Sequence, residues 1–274
     1  MVRTLPIAPL FVPGDRPERF GKAADSGADT VILDLEDGVV PEKKAAARDA
    51  VVRHGLRSGV PVWVRINAHG SLWFADDIAA LRAARVDAVM LPKTEEVAEV
   101  EAIAAAFGRS IPVVALIETA AGIAGLAKTL RAENVIGAAF GSLDYALDLG
   151  CDPLWETLLF ARSEIVLRSR VAGLPAPIDG VCTATGDAEL VRQDAAAAAG
   201  LGFGGKLAIH PRQVAAIAAA FRPSDADLAW AQEIVSLAGD GKPVKVSGQM
   251  VDRPVLERAR RIVRSFDALR RSQG

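Results

Sequence analysis

The sequence predicts an α/β protein built as a (β/α)8 TIM barrel with an extra C-terminal helical extension. Eight short apolar, β-branched runs alternate with Ala-rich helical stretches, and the runs recur on average about 28 residues apart. Each run is apolar continuously rather than at every second position, the pattern of a parallel strand covered on both faces. A doubly wound open sheet shares this alternation, but it needs a reversal of strand order that the sequence does not reveal. The barrel takes residues 1–222 and the extension residues 223–274.

The expected strands are Ala8–Val12, Thr30–Leu35, Val62–Ile66, Val86–Leu91, Pro112–Ile117, Val135–Phe140, Ile178–Val181 and Lys206–Ile209. A Pro/Gly turn after the first strand, Pro13 to Pro17, runs into a helix. Pro41 sits at a favoured first-turn position for the helix Glu42–Arg57, and Gly59 follows its end. Leu72–Ala84, Glu95–Phe107 and Ala121–Ala132 are the next helices. The connection from Gly141 to Pro177 is long and holds a further helix, Leu154–Arg170. Past Pro211 the chain exceeds what a barrel needs, with helices at Gln213–Phe221 and Asp225–Leu237, a loop, and a last helix from Pro254.

Composition narrows the function. Thirty-four acids against 32 bases give a net charge of −2, so no polycationic surface faces a nucleic-acid backbone. Fourteen aromatic residues offer no base-stacking platform. No apolar run approaches the roughly 18 residues of a membrane helix. Leu5–Val12 is apolar but holds Pro6 and Pro9 and lacks a small-residue cleavage site, so no signal peptide is expected. Two cysteines make no disulfide framework and three histidines no easy zinc cage, which points to a reducing, cytoplasmic setting. A bound metal would have to take carboxylate ligands.

The polar residues cluster where strands end. The second strand ends in Glu36-Asp37-Gly38, the third in Arg65-Ile66-Asn67, the fourth in Pro92-Lys93 and the fifth in Glu118-Thr119. The sixth runs into Gly141-Ser142-Leu143-Asp144, the seventh gives Asp179 and the eighth His210. In a barrel all of these meet on one rim, the face that carries active sites. Glu118 and Asp144 leave adjacent strands, and two carboxylates so close repel unless a proton or cation lies between them. A hard ion, Mg2+ or Mn2+, suits such an all-oxygen site; the competing reading makes each carboxylate a helix cap. Arg65 lies in an apolar strand and needs an anion, either a protein carboxylate such as Glu36 or Asp37, or a substrate carboxylate or enolate. The stretch from Arg16 to Lys22 carries three cations at a helix start, suited to phosphates or simply to solvent. Gly202 to Lys206 resembles a phosphate loop, yet it enters a strand instead of leaving one. His210, before Pro211, is expected to fix a turn or to make a supporting hydrogen bond behind the site.

Taken in order, FVPGDRPERF, LDLEDGV, VRIN, LPKTE, LIETAAG, FGSLDYALDLG, GKLAIHPRQV and GQMVDRPVLERARRI resemble the citrate lyase β-subunit/HpcH-HpaI aldolase family. More closely they are similar to its stand-alone acyl-CoA lyase branch, the malyl-CoA and citramalyl-CoA lyases. The resemblance runs from Pro9 to Leu269. It implies Mg2+ and reversible carbon–carbon cleavage of a 3-hydroxyacyl-CoA thioester such as malyl-, citramalyl- or citryl-CoA. By position it implies Glu118 and Asp144 as metal ligands and Arg65 as the arginine that binds the oxo-acid and supports enolate charge. Asp37 matches a carboxylate beyond the metal's direct ligands, and the amides around Gly141, Ser142 and Leu143 match a cradle for the α-carboxylate. Arg16 and Lys22 match residues that meet CoA phosphates. Asp252 matches an acid placed into the neighbouring subunit's active site, which implies a homo-oligomer, trimer or hexamer, with the extension as a lid. The aldolase branch uses a histidine after the LEDG-like segment, and Glu36–Lys44 has none. The rival readings are a metal-dependent aldolase on free 2-oxo acids, a malyl-CoA thioesterase, the β-subunit of a carrier-dependent citrate lyase complex, and a binding protein without catalysis.

Overall fold

In a computed structural model the apolar runs become eight parallel strands, and the Ala-rich stretches become helices laid outside them. The structure describes residues 4–55, 59–82, 84, 86–237, 244–246 and 249–272. In chain order the first unit contains β1 (Leu10–Pro13), α1 (Phe20–Ala24), β2 (Val31–Asp34), α2 (Lys44–Ala50), β3 (Val62–Arg65), α3 (Phe74–Leu81), β4 (Ala88–Leu91) and α4 (Val97–Phe107). It continues with β5 (Val113–Ile117), α5 (Ala120–Thr129), β6 (Val135–Phe140), α6 (Ser142–Leu149), α7 (Leu159–Val171), β7 (Ile178–Asp179), α8 (Ala188–Leu201), β8 (Gly205–Lys206) and α9 (Pro211–Ala220).

The strands follow one another in sequence order, each parallel to the next. The sheet then closes on itself. Phe11 N donates to Ala208 O at 2.8 Å, Lys206 N to Ile7 O at 2.8 Å and Ala208 N to Pro9 O at 2.9 Å, which stitches the eighth strand to the first. Closure removes both free edges, and it rules out the open doubly wound sheet.

Inside the barrel, Ile32, Trp63, Ala88, Met90, Val114, Leu116, Ala139, Ile178 and Leu207 form one buried cluster with Leu5 beneath. The alternate residues of the same strands, such as Val31 and Leu33 of β2, are equally buried. That two-sided burial is why the runs read as continuously apolar.

Several elements are shorter than expected. The stretch read as one helix, Glu42–Arg57, passes through a tight turn at Pro41–Lys43, α2, and a wide helical turn at Val51–Gly55; Arg57 lies outside the described residues. The third helix covers Phe74–Leu81 rather than Leu72–Ala84. The helix expected from Leu154 begins at Leu159, because Asp152-Pro153 and the residues after them fold as turns first. Strands seven and eight keep only two ladder residues each.

The second unit, Ala220–Gly274, contains α10 (Asp225–Leu237), an antiparallel pair β9 (Val244–Val246) and β10 (Gln249–Val251), and α11 (Arg253–Ser272). It has its own small core of Ala231, Ile234, Val251, Leu256 and Ala259. The strand pair replaces part of what reads in sequence as a loop. Among the described residues no helix is long and apolar enough to cross a membrane.

Candidate active site

The barrel's interior and its rim share one register. Side chains on a strand alternate between faces, so the phase that points Ile32 inward carries on to Asp34 and Glu36. The phase of Trp63 carries on to Arg65, that of Leu116 to Glu118 and that of Ala139 to Gly141. Charged groups therefore begin where the apolar interior layers stop.

Asp34 and Arg65 occupy paired positions on β2 and β3. Arg65 Nε donates to Asp34 Oδ1 and Nη2 to Oδ2, each at 2.7 Å. The guanidinium lies over the Phe11 ring at 4.8 Å, and its Nη1 is 3.2 Å from Glu36 Oε2. Asp34 also accepts the amides of Glu36 at 2.9 Å and Gly38 at 2.8 Å. Burial works to raise its carboxyl, but the Arg65 charge, the Arg65 hydrogen bond and the two amides prevail and hold it below the usual carboxylate range. Gly38 is required here, since a Cβ would overlap Asp34 Oδ2. Sequence reading offered Glu36 or Asp37 as the protein partner of Arg65. The structure gives that place chiefly to Asp34, with Glu36 second, while Asp37 is exposed.

On β4 and β5 the chain places a second group. Lys93 follows the end of β4 with φ of 48°, a left-handed conformation unusual for a lysine. Its amide donates to Glu118 Oε1 at 2.8 Å. Its ammonium donates to Glu36 Oε1 at 2.6 Å and lies 3.8 Å from Glu118 Oε1. Burial would lower the Lys93 amine, yet the Glu36 hydrogen bond and charge raise it to about 12, so it stays charged. Glu36 is pushed up by burial, which outweighs Arg65 and Lys93.

Glu118 is fully buried, and its Oε2 makes no hydrogen bond. Burial first, then the charge of Glu36, push its carboxyl up to about 8 against the pull of Arg65 and Lys93, with Asp144 adding to the rise. The two nearby cations, Arg65 and Lys93, do not offset its burial. Asp144 stands in the first turn of α6, whose cap position is Gly141, so Asp144 is not that helix's cap. Gly141 lies beside Glu118 because Ile117 and Phe140 pair across β5 and β6, and a Cβ at Gly141 would overlap Glu118 Oε2. The orphaned oxygen, the nearby second carboxylate and the space kept by Gly141 suit a hard divalent ion whose other positions go to water and substrate. Among the described residues no group of three or more His, Cys, Asp or Glu side chains converges into a closed cage.

The expected carboxylate cradle needs one correction. The Gly141 amide donates to Ile117 O at 2.9 Å, so it is committed to the barrel. The amides of Ser142 and Leu143 open α6, where first-turn N–H groups have no partner within the helix. Arg16 is about half exposed, 3.8 Å from Asp15, and Lys22 on α1 is exposed.

Two further strand-end expectations resolve differently. Ile178 points into the barrel, so Asp179 turns out toward the helices and misses the rim. There it accepts Arg162 Nε at 2.9 Å and Lys206 Nζ at 2.7 Å, and Lys206 also meets Asp194 at 2.9 Å. His210 does fix a turn, its Nδ1 accepting the Arg212 amide at 3.2 Å. Asp252 belongs to the second unit and is exposed. Its Oδ1 accepts the Val255 amide at 3.2 Å, so it caps α11.

Sequence reading passed over the network beneath Glu36. The buried ammonium of Lys44 donates to Leu35 O and Glu36 O at 2.7 Å and to Asn67 Oδ1 at 2.6 Å. Asn67 in turn donates to Asp77, which Arg48 holds at 3.2 Å. This braces the loop that carries Glu36 and Asp37.

Residues 8–211 match the family model described as HpcH/HpaI aldolase/citrate lyase. A citrate lyase subunit beta-like protein of Deinococcus radiodurans is 37% identical, over 93% of this chain and 95% of its own. An L-malyl-CoA/beta-methylmalyl-CoA lyase of Rhodobacter capsulatus is 35% identical, over 97% and 98%. The crystal structure of CitE from Mycobacterium tuberculosis in complex with magnesium, acetoacetate and coenzyme A superposes with a TM-score of 0.87 at 36% identity, over 95% and 98% of the two chains.

Proposed function

The chain belongs to the HpcH/HpaI aldolase/citrate lyase family, and from that premise we propose that it is a Mg2+-dependent carbon–carbon lyase. Its substrate is a 3-hydroxyacyl-CoA thioester such as malyl-, citramalyl- or citryl-CoA, which it cleaves to, or forms from, an oxo-acid and an acyl-CoA. The observation that carries this reading is the buried, unpartnered Oε2 of Glu118 at the barrel rim, beside Asp144 and an arginine. Relatives named as lyases, and a similar structure holding magnesium, an oxo-acid and coenzyme A, support it.

Glu118 and Asp144 would hold the ion, with Mn2+ able to replace Mg2+. Bound there, it supplies Lewis acidity toward the oxygens of the oxo-acid. Arg65 spends two of its nitrogens on Asp34, and its Nη1, 3.2 Å from Glu36 Oε2, brings a fixed positive charge toward the developing charge of the thioester enolate. The first-turn amides of α6, Ser142 and Leu143, receive the substrate carboxylate. Glu36 and Asp37 hold water around the site, and Arg16 and Lys22 meet the CoA phosphates. Asp252, brought by the extension of a neighbouring copy, gives the enolate carbon its proton in cleavage and removes it in condensation. The reading carries with it a cytoplasmic homo-oligomer, trimer or hexamer, whose extension of residues 223–274 serves as a lid.

The test is condensation of acetyl-CoA or propionyl-CoA with glyoxylate, pyruvate or oxaloacetate in the presence and absence of Mg2+. The expected result is a new carbon–carbon bond that depends on Mg2+ and is lost in Glu118→Gln. Thioester hydrolysis without condensation, or full activity in chelator, overturns it.

A further inference from the structure

A lysine rarely adopts a positive φ, because its Cβ then crowds the following carbonyl. Among the described residues two non-glycines do so, Asn134 and Lys93. Asparagine tolerates the conformation, whereas lysine is held there by its surroundings. At Lys93 it aims two groups at two different carboxylates. The main-chain amide fixes Glu118 Oε1 at 2.8 Å, and the ammonium draws Glu36 Oε1 to 2.6 Å. The other oxygen of Glu36 lies 3.2 Å from Arg65 Nη1, though not in hydrogen-bond geometry, so the carboxylate is held between two cations.

The consequence concerns the count of ligands. Glu36 and Glu118 approach the same ammonium, at 2.6 and 3.8 Å, and each keeps a buried Oε2 without a hydrogen bond. Released, Glu36 would be a third carboxylate beside Glu118 and Asp144. Three carboxylates would bind a divalent ion more tightly, but they would fill a position that substrate oxygens need, since Mg2+ accepts only about six ligands in near-octahedral array.

We propose that Lys93 is a positioning residue that holds Glu36 out of the metal's coordination shell, so that two carboxylates bind the ion and an open position is kept for the substrate. The inference rests on the assignment of Glu118 and Asp144 as metal ligands. The backbone of Lys93 sets Glu118 and the side chain restrains Glu36, so the two effects can be separated by substitution.

The experiment measures Mg2+ affinity by calorimetry, and Mn2+ coordination by electron paramagnetic resonance, on the full-length protein without substrate. Lys93→Gly retains the positive φ and the amide but loses the ammonium, and Lys93→Met retains the stem. Both are expected to bind Mg2+ at least about tenfold more tightly, to show an altered Mn2+ spectrum, and to lose turnover. In a Glu36→Gln background the gain in affinity should vanish. Unchanged or weaker binding in both variants overturns the proposal. So does a gain that persists undiminished with Glu36→Gln, because it would then be a bare charge effect. Wild-type Mg2+ affinity in Glu118→Gln would instead refute the metal-site assignment. Loss of binding there, without any gain in the Lys93 variants, would refute only the role of Lys93.

Discussion

Asp34 and Arg65 are ladder partners on adjacent strands, and their side chains close a two-point ion pair with both contacts at 2.7 Å. The pair is the foundation of the rim. It fixes the arginine whose remaining nitrogen faces Glu36, and the same carboxylate accepts two amides of the loop that carries Glu36 and Asp37.

Removing the acid from this pair should therefore damage stability and site together. Asp34→Asn leaves a buried guanidinium without its anion and should cost about 3–5 kcal/mol, read by urea denaturation at pH 7. The pH dependence has a definite sign. The folded Asp34 carboxyl lies below its ordinary value of 3.8, so its contribution is complete above about pH 4 and is lost as pH falls through the lower folded value. The wild-type stability curve should drop below pH 4, and the Asp34→Asn curve should drop less there.

Gly141→Ala tests the space beside Glu118. The added methyl would overlap the oxygen that has no partner. Mg2+ affinity should fall by about tenfold or more, equivalent to 1.4 kcal/mol, while far-ultraviolet circular dichroism stays unchanged. Retained affinity, measured by the Mg2+-induced shift in melting temperature, would show that Oε2 takes no part in holding the ion.

Asp252 combines a cap with a proposed acid, and two substitutions separate them. Asparagine caps as well as aspartate, so Asp252→Asn should leave thermal stability intact while condensation slows by about 10²-fold or more. Asp252→Ala should slow the reaction equally and cost about 1 kcal/mol in addition. Equal turnover in the wild type and Asp252→Asn would confine this residue to capping α11.

The buried cluster between barrel and helices should behave in the opposite way. Asp179→Leu removes the anion shared by Lys206 and Arg162 and should destabilise by about 3–5 kcal/mol. Because that side chain faces away from the rim, the Mg2+ affinity of the folded fraction should match the wild type.

The eight strands were legible because burial on both faces leaves an unbroken apolar run. Glu118 stood out as a charge just past an apolar run and Arg65 as a guanidinium within one, where it is costly without an anion. Asp34 was not: it sits inside TVILDL and reads as one polar interruption of a strand. Only the two-residue phase linking Ile32, Asp34 and Glu36 marks it as a rim residue. Asp179 misled for the complementary reason, since with Ile178 inside the barrel a residue one step later faces outward. Lys93 stands at a strand end in the sequence, but its reach to both Glu36 and Glu118 depends on a backbone conformation that no side-chain pattern encodes. The turns at Asp152-Pro153 show the same limit, a local preference for turns delaying α7 within a helical composition.

The shared register of interior and rim limits how the chemistry can change by descent. One residue inserted in β3 ahead of Trp63 would turn Trp63 out of the interior and Arg65 off its anion in the same step. A change of substrate that leaves this register intact therefore falls to the loops beyond the strands, where length is free.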